Sequence, residues 1–170
     1  MNAENLTQKQ MAVAVARDVL KHLSVTRVES CTYLSGPVVD LLADVAGEQL
    51  QNHVNAVMAH CDVCALGSMF LSHVRLFDRL TVGEFLAGRV EDGNVSVERH
   101  DIYKRLVEIF GQHQLDMIEC AFEDCDMSNE LSQEDEDLAC DATAHLGEDY
   151  RERLKFIMQN IVDNNGVFAP

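Results

Sequence analysis

Cys61 and Cys64 are the one closely spaced pair among the chain's six cysteines, in the stretch Cys61-Asp62-Val63-Cys64. In a C-x-x-C at a helix start, the first thiol feels the positive end of the helix dipole and ionises more readily, and the second can close a disulfide on it. The same pair can supply two of the four nitrogen or sulfur ligands of a tetrahedral zinc site. His60 adjoins the pair, and His53 lies seven residues before His60 on a predicted helix, so the two histidines share a face and either offers a third ligand. With Glu48 nearby they would equally make an acid–base cluster. No second C-x-x-C and no H-x-x-x-H supplies a fourth ligand. The remaining reading is that both thiols are small apolar residues of a buried helix, a common place for reduced cysteine. On balance neither a cofactor nor a resident metal is expected, and Cys61, Cys64, His60 and His53 are the residues that would hold a metal if one bound. Cys31, Cys120, Cys125 and Cys140 read as ordinary, scattered thiols.

The C-x-x-C pattern is partly similar to that of all-α alkylhydroperoxidase-like and carboxymuconolactone-decarboxylase-like proteins, which place a histidine after three further residues and a glutamate upstream. Glu48 stands upstream here, but Ser68 occupies the histidine's place and the next histidine is His73. The proton-relaying imidazole is therefore not in position, and family membership does not follow.

Carboxylates are the other candidate chemistry. The formal charge is -16, from 29 acidic and 13 basic residues. Between Arg105 and Arg151 there are 14 acids and no Lys or Arg. Glu108, Asp116 and Glu119 fall at what read as outer positions of apolar helices. Glu123, Asp124, Asp126, Glu130, Glu134, Asp135, Glu136 and Asp137 crowd a loop and the helix start after it. From Asp124 the spacing partly follows a calcium-binding EF-hand loop, but Asn129 replaces its glycine and Asp135 its bidentate glutamate. A solvated face and a docking face for a basic partner are both open readings of such a pole. The same charge repels nucleic-acid phosphates and anionic membranes, so neither is an expected partner.

The elements that must position these groups read as helices. Two prolines and the absence of clear period-2 runs favour an all-α protein. Thr7 and Gln10 form a capping box before a helix from about Gln8 to Leu23. The stretch from Ser24 to Leu34 is rich in β-branched residues but has no visible strand partner, so it reads as a loop. Pro37 suits a first helical position, opening a helix that Gly47 weakens. Residues 62–79 form a central helix, apolar most of the way round and hence buried on several faces, with Ala65, Gly67 and Ser68 permitting close approach of neighbours. Thr81 and Glu84 form a second capping box. Asp92-Gly93-Asn94 is a turn, and 89–95 is the one candidate subdivision of a single domain spanning 1–170. Ser96 is the expected cap of a helix ending at Gly111, and another helix carries Leu115, Ile118, Ala121 and Phe122. Ser132 caps one with Leu138, Ala142 and Leu146 on its apolar face, and the last helix ends at Asn164-Asn165-Gly166 before an apolar tail. The expectation is a compact all-α bundle of about seven helices around a buried central helix.

The N-terminus lacks a basic region followed by an apolar one, no apolar run approaches a membrane span, and a cytoplasmic location with reduced thiols is expected. The leading functional expectation is an acidic, non-enzymatic inhibitor or adaptor that docks on a basic protein surface through the acidic pole, in the manner of a nucleic-acid mimic. The alternatives are an all-α thiol–disulfide oxidoreductase using Cys61 and Cys64, and a structural subunit of a larger assembly.

Overall fold

Thr7 forms the capping box that its spacing to Gln10 predicts: Thr7 Oγ1 accepts the Gln10 N–H at 3.3 Å, and Gln10 Oε1 accepts the Thr7 N–H at 2.9 Å. The computed structural model describes residues 6–37, 61–77, 90–91, 94–123 and 131–170. Among them lie six helices: α1 (Gln8–His22), α2 (Ala65–Phe77), α3 (Arg99–Phe110), α4 (Gln112–Glu123), α5 (Gln133–Ala144) and α6 (Tyr150–Asp163). Glu48, the helix expected after Pro37 and the capping box at Thr81 lie outside the described residues.

The all-α expectation is corrected. Five short strands, β1 (Arg27–Val28), β2 (Leu34–Pro37), β3 (Asp62–Val63), β4 (Val90–Glu91) and β5 (Asn94–Ser96), form one sheet in the order β1-β3-β2-β5-β4. Only β1 and β3 are parallel. The segment read as a loop is extended because it does have partners, in places the sequence pattern assigned elsewhere. Asp62 and Val63, expected in the central helix, pair with Arg27 and Val28 on one side and with Ser35 and Leu34 on the other. Pro37 ends β2 opposite Asn94 instead of opening a helix. A strand terminus is where a residue without an N–H is tolerated. Asn94, expected in a turn, opens β5, which pairs with β4 on one side and with β2 on the other, while Asp92 and Gly93 lie outside the described residues. Ser96 is consumed by that strand, so the N-cap of α3 is Glu98, with no side-chain capping bond.

The central helix forms. Ten of the 13 residues of α2 are buried, and it packs against α1, α3 and α4. The burial takes in its polar side too, since Ser68, Ser72 and Arg75 are buried along with Leu66, Met69, Phe70, Leu71 and Val74. Close approach also occurs where a residue without Cβ allows it, since a Cβ on Gly67 would stand 1.6 Å from the carbonyl oxygen of Tyr33, at the entry to β2. Gly111 ends α3 in a left-handed conformation (φ 75°), as its position predicts. Gly166 (φ 95°) ends the turn after α6 against the Lys9 backbone. The apolar tail folds back on the chain: Phe168 is 1% exposed and its N–H donates to Gln114 Oε1 at 2.6 Å.

Gly67 gives a stability test. Gly67→Ala should force β2 away from α2 and lower the unfolding free energy by about 3 kcal/mol or more, the upper range for overpacking. Urea denaturation measures it, and a midpoint within error of the parent would contradict the close packing described.

Candidate functional site

Asp116 and Glu119 are three residues apart on α4, so both project from one side of the helix. That side faces inward, and each residue is only 2% exposed. The expectation that they face solvent is corrected, because α3 supplies a counter-charge. Arg99 Nη2 donates to Asp116 Oδ1 at 2.9 Å and to Glu119 Oε2 at 2.9 Å, and Arg99 Nε reaches Glu119 Oε2 at 3.1 Å. The Tyr103 hydroxyl lies 2.7 Å from Asp116 Oδ1 and 2.8 Å from Glu119 Oε2. The Arg99 guanidinium also sits 4.0 Å above the Tyr103 ring, a cation–π contact. Tyr33 brings its hydroxyl from beside β2 to Glu119 Oε1, and Gln112 Nε2 donates to Asp116 at 3.0 Å. Burial, then hydrogen bonding to these carboxylates, pushes both tyrosine hydroxyls well above their ordinary range. Burial works against the Arg99 charge, but the hydrogen bond and charge of Glu119 outweigh it. The result is a clamp joining the entry to β2 with α3 and α4, whose tyrosines stay neutral. The two acids stand in the apolar run Leu115–Phe122, whose spacing alone does not say which way they turn.

The C-x-x-C is divided between strand and helix. Cys61 precedes β3 and Cys64 precedes α2, with 1% and 2% exposure. Cys64 N–H donates to the Thr32 carbonyl at 3.0 Å, which extends the sheet. Burial, assisted by the Asp62 charge, pushes the Cys61 thiol up to about 11, and burial raises Cys64 further. Any lowering from the helix start is therefore outweighed, and both sulfurs are protonated at neutral pH. His53 and His60 lie outside the described residues. Among the described residues, no group of three or more His, Cys, Asp or Glu is placed to hold a metal ion. The calcium-like stretch falls mostly on 124–130, also outside them.

The acids of the pole take different places. Glu123 turns inward and is half-buried, and its Oε2 accepts the Cys31 N–H at 2.8 Å. Burial raises its carboxyl, partly offset by that hydrogen bond. Asp124, Asp126 and Glu130 lie outside the described residues. Ser132 caps α5 as expected, accepting the Asp135 N–H at 3.2 Å. Asp135 is held in the cap, its Oδ2 taking Ser132 Oγ at 2.7 Å and His113 Nε2 at 3.2 Å, and these bonds, Ser132's first, lower its carboxyl. Glu136 is half-buried. Glu134, Asp137 and Asp141 are exposed, and their spacing puts them on one face of α5.

That face also holds Leu138, 48% exposed. The expected apolar face of Leu138, Ala142 and Leu146 is corrected: α5 buries Ala139 and Thr143 instead, a step round the helix. The reason is the close fit of α5 on α4, where Thr143 Oγ1 donates to the Ala121 carbonyl at 2.5 Å and small side chains are needed. Three of the chain's 13 cations, Lys9, Arg17 and Lys21, lie instead along α1, bordering an open apolar groove of about 530 Å³.

Two measurements test this account. Arg99→Ala leaves two buried carboxylates without their cation. Because Arg99 is 39% exposed, solvent softens the loss to about 2 kcal/mol, below the 3–5 kcal/mol of a fully buried pair. Adding Asp116→Asn should restore roughly half, and no recovery in the double variant would mean the charges are not coupled. Separately, iodoacetamide on the native protein should label exposed Cys31 quickly and Cys61 and Cys64 slowly, with Cys61 accelerating only as pH nears 11. The raised thiols also make the fold lose stability as pH climbs from the ordinary thiol value near 9, since the unfolded chain sheds those protons first. Fast neutral-pH labelling of Cys61 would refute the burial argument.

No protein-family model matches the chain, and no curated protein and no solved structure shows significant similarity to it.

Proposed function

We propose that the protein acts by binding, docking on a basic protein surface through the outer face of α5. The observation that carries this reading is the grouping of Glu134, Asp137 and Asp141 around the exposed Leu138. An apolar anchor ringed by like charges suits association. The charges steer the encounter and reject wrong partners, and the leucine is removed from water once contact is made. Helix α5 packs mainly on α4, so its opposite side is open along its length. Asp135 and Glu123 belong to the fold instead of to this face, which narrows the partner-binding set to the outward residues. An inhibitor that occupies a phosphate-binding surface and an adaptor that recruits a basic protein would use the same face.

Affinity capture from the source cells, comparing the parent with a Glu134→Lys, Asp137→Lys, Asp141→Lys variant, tests this. Exposed charge pairs contribute roughly 0.5 kcal/mol each, so reversing three turns attraction into repulsion of similar size. The total loss is about 3 kcal/mol, or roughly a hundredfold in affinity. Captured basic proteins should also elute as salt rises from about 0.1 M to about 1 M, which shortens the screening length from about 10 Å to about 3 Å. Leu138→Asp should weaken the salt-resistant part of the binding. Capture that is indifferent to both charge reversal and salt would rule the proposal out.

A further inference from the structure

We infer that Cys120 and Cys140 form a redox-sensitive pair that closes into a disulfide between α4 and α5. Their Sγ atoms are 3.2 Å apart, inside ordinary sulfur contact, although 20 residues separate them in sequence. A disulfide needs about 2.05 Å, so closure requires an approach of about 1.2 Å. The surroundings favour that movement. The contacts between the helices advance in the same sense along both, from His113 with Asp135, through Cys120 with Cys140, to Ala121 with Thr143. The two helices therefore lie side by side at the cysteines. Helix α5 fully buries only Ala139 and Thr143, so an approach of this size, shared between rotation of the two side chains and a small shift of the helix, leaves the core closed. The two thiols are also unequally accessible, with Cys120 fully buried and Cys140 half-buried.

That asymmetry assigns the roles. The oxidant is a hydroperoxide. The Cys140 thiolate attacks its O–O bond, forming an S–O bond and releasing the other oxygen as hydroxide or alkoxide, which takes up a proton. The resulting sulfenic acid sits against Cys120. The Cys120 sulfur attacks the Cys140 sulfur, the S–S bond forms, and the sulfenic oxygen leaves as water with the Cys120 proton. Overall two thiols lose two electrons and two protons, and one hydroperoxide is reduced to water and an alcohol, or to two waters where it is hydrogen peroxide. The inference does not draw on the docking role, because Cys140 lies beside the buried Ala139, away from the outward face.

The test uses the intact chain and hydrogen peroxide. After stoichiometric oxidation, thiols are blocked under denaturing conditions and the protein is digested without reductant and analysed by mass spectrometry. Blocked thiols should fall from six to four, with one cross-linked peptide joining Cys120 to Cys140. The unfolding midpoint should rise by roughly 5–10 °C, as expected for a cross-link closing a loop of this length in a domain of this size, and dithiothreitol should reverse it. Cys140→Ser should abolish both effects. Cys120→Ser should abolish the cross-link and leave a sulfenic acid on Cys140 that dimedone labels. Six blocked thiols after oxidation would overturn the inference, as would a cross-link joining other partners, such as Cys120 with Cys125 or Cys61 with Cys64.

Discussion

A helix that turns two carboxylates into the interior within one turn can do so only if a cation and several donors meet them there. Helix α4 does this with Asp116 and Glu119, and the arrangement of its neighbours follows. Arg99 and Tyr103 must stand on the same side of α3, four residues apart, to reach both acids. Tyr33 must enter β2 where its hydroxyl meets Glu119, and at that point its carbonyl lies over Gly67 of α2. One residue is thus fixed from both ends, by a hydrogen bond to α4 and by the absence of a side chain on the central helix. Without the cation two buried carboxylates would be left unpaired, so the clamp ties α3, α4 and the entry to β2 to one another. It determines which residues of α3, α4 and β2 meet.

The interior also takes in some of the protein's nine arginines. Arg75 pairs with Asp18 and is 8% exposed. Arg153 is 2% exposed, and its Nη1 donates to the Phe122 carbonyl at 3.1 Å, near the C-terminal end of α4 where backbone acceptors are left over. Arg75 and the partly exposed Arg99 between them meet Asp18, Asp116 and Glu119, and Glu123 is a further, half-buried carboxylate among the described residues.

What the sequence showed is what short-range rules control. The capping box at Thr7, the cap at Ser132, the stop at Gly111 and the all-round burial of α2 each depend on residues within a turn or two of one another. The sheet was hidden because its strands are two to four residues long and their partners are distant; β3 is two residues that an apolar helix pattern absorbs without trace. The inward turn of Asp116 and Glu119 was hidden for the same reason, since an acid in an apolar run is neutral information until Arg99 is known to face it. Cys120 and Cys140 appeared scattered because helix packing, not spacing, brings them together. Leu138 was misplaced by periodicity alone: Ala139 and Thr143 are poorer apolar markers, yet small side chains are what close contact with α4 requires.

The acids of α5 can be sorted by whether the helix itself needs them. Glu134, Asp135 and Glu136 lie in its first turn, where negative charge complements the dipole, and Asp135 also completes the cap. Asp137 accepts a hydrogen bond from Gln133 Nε2 at 2.9 Å, but Asp141 has no such account. They are like charges four residues apart, which disfavours a helix by roughly 0.2–0.5 kcal/mol. Asp141 also stands in the last turn, where the dipole favours a cation and none is present. Leu138 between them exposes apolar surface that Ala139 next door shows could have been smaller. A twelve-residue helix that fully buries only two side chains has little stability to spare for an unfavourable charge and an exposed leucine on one face. Local rules broken together at one place are the ground on which the outer face of α5 is proposed as a contact surface.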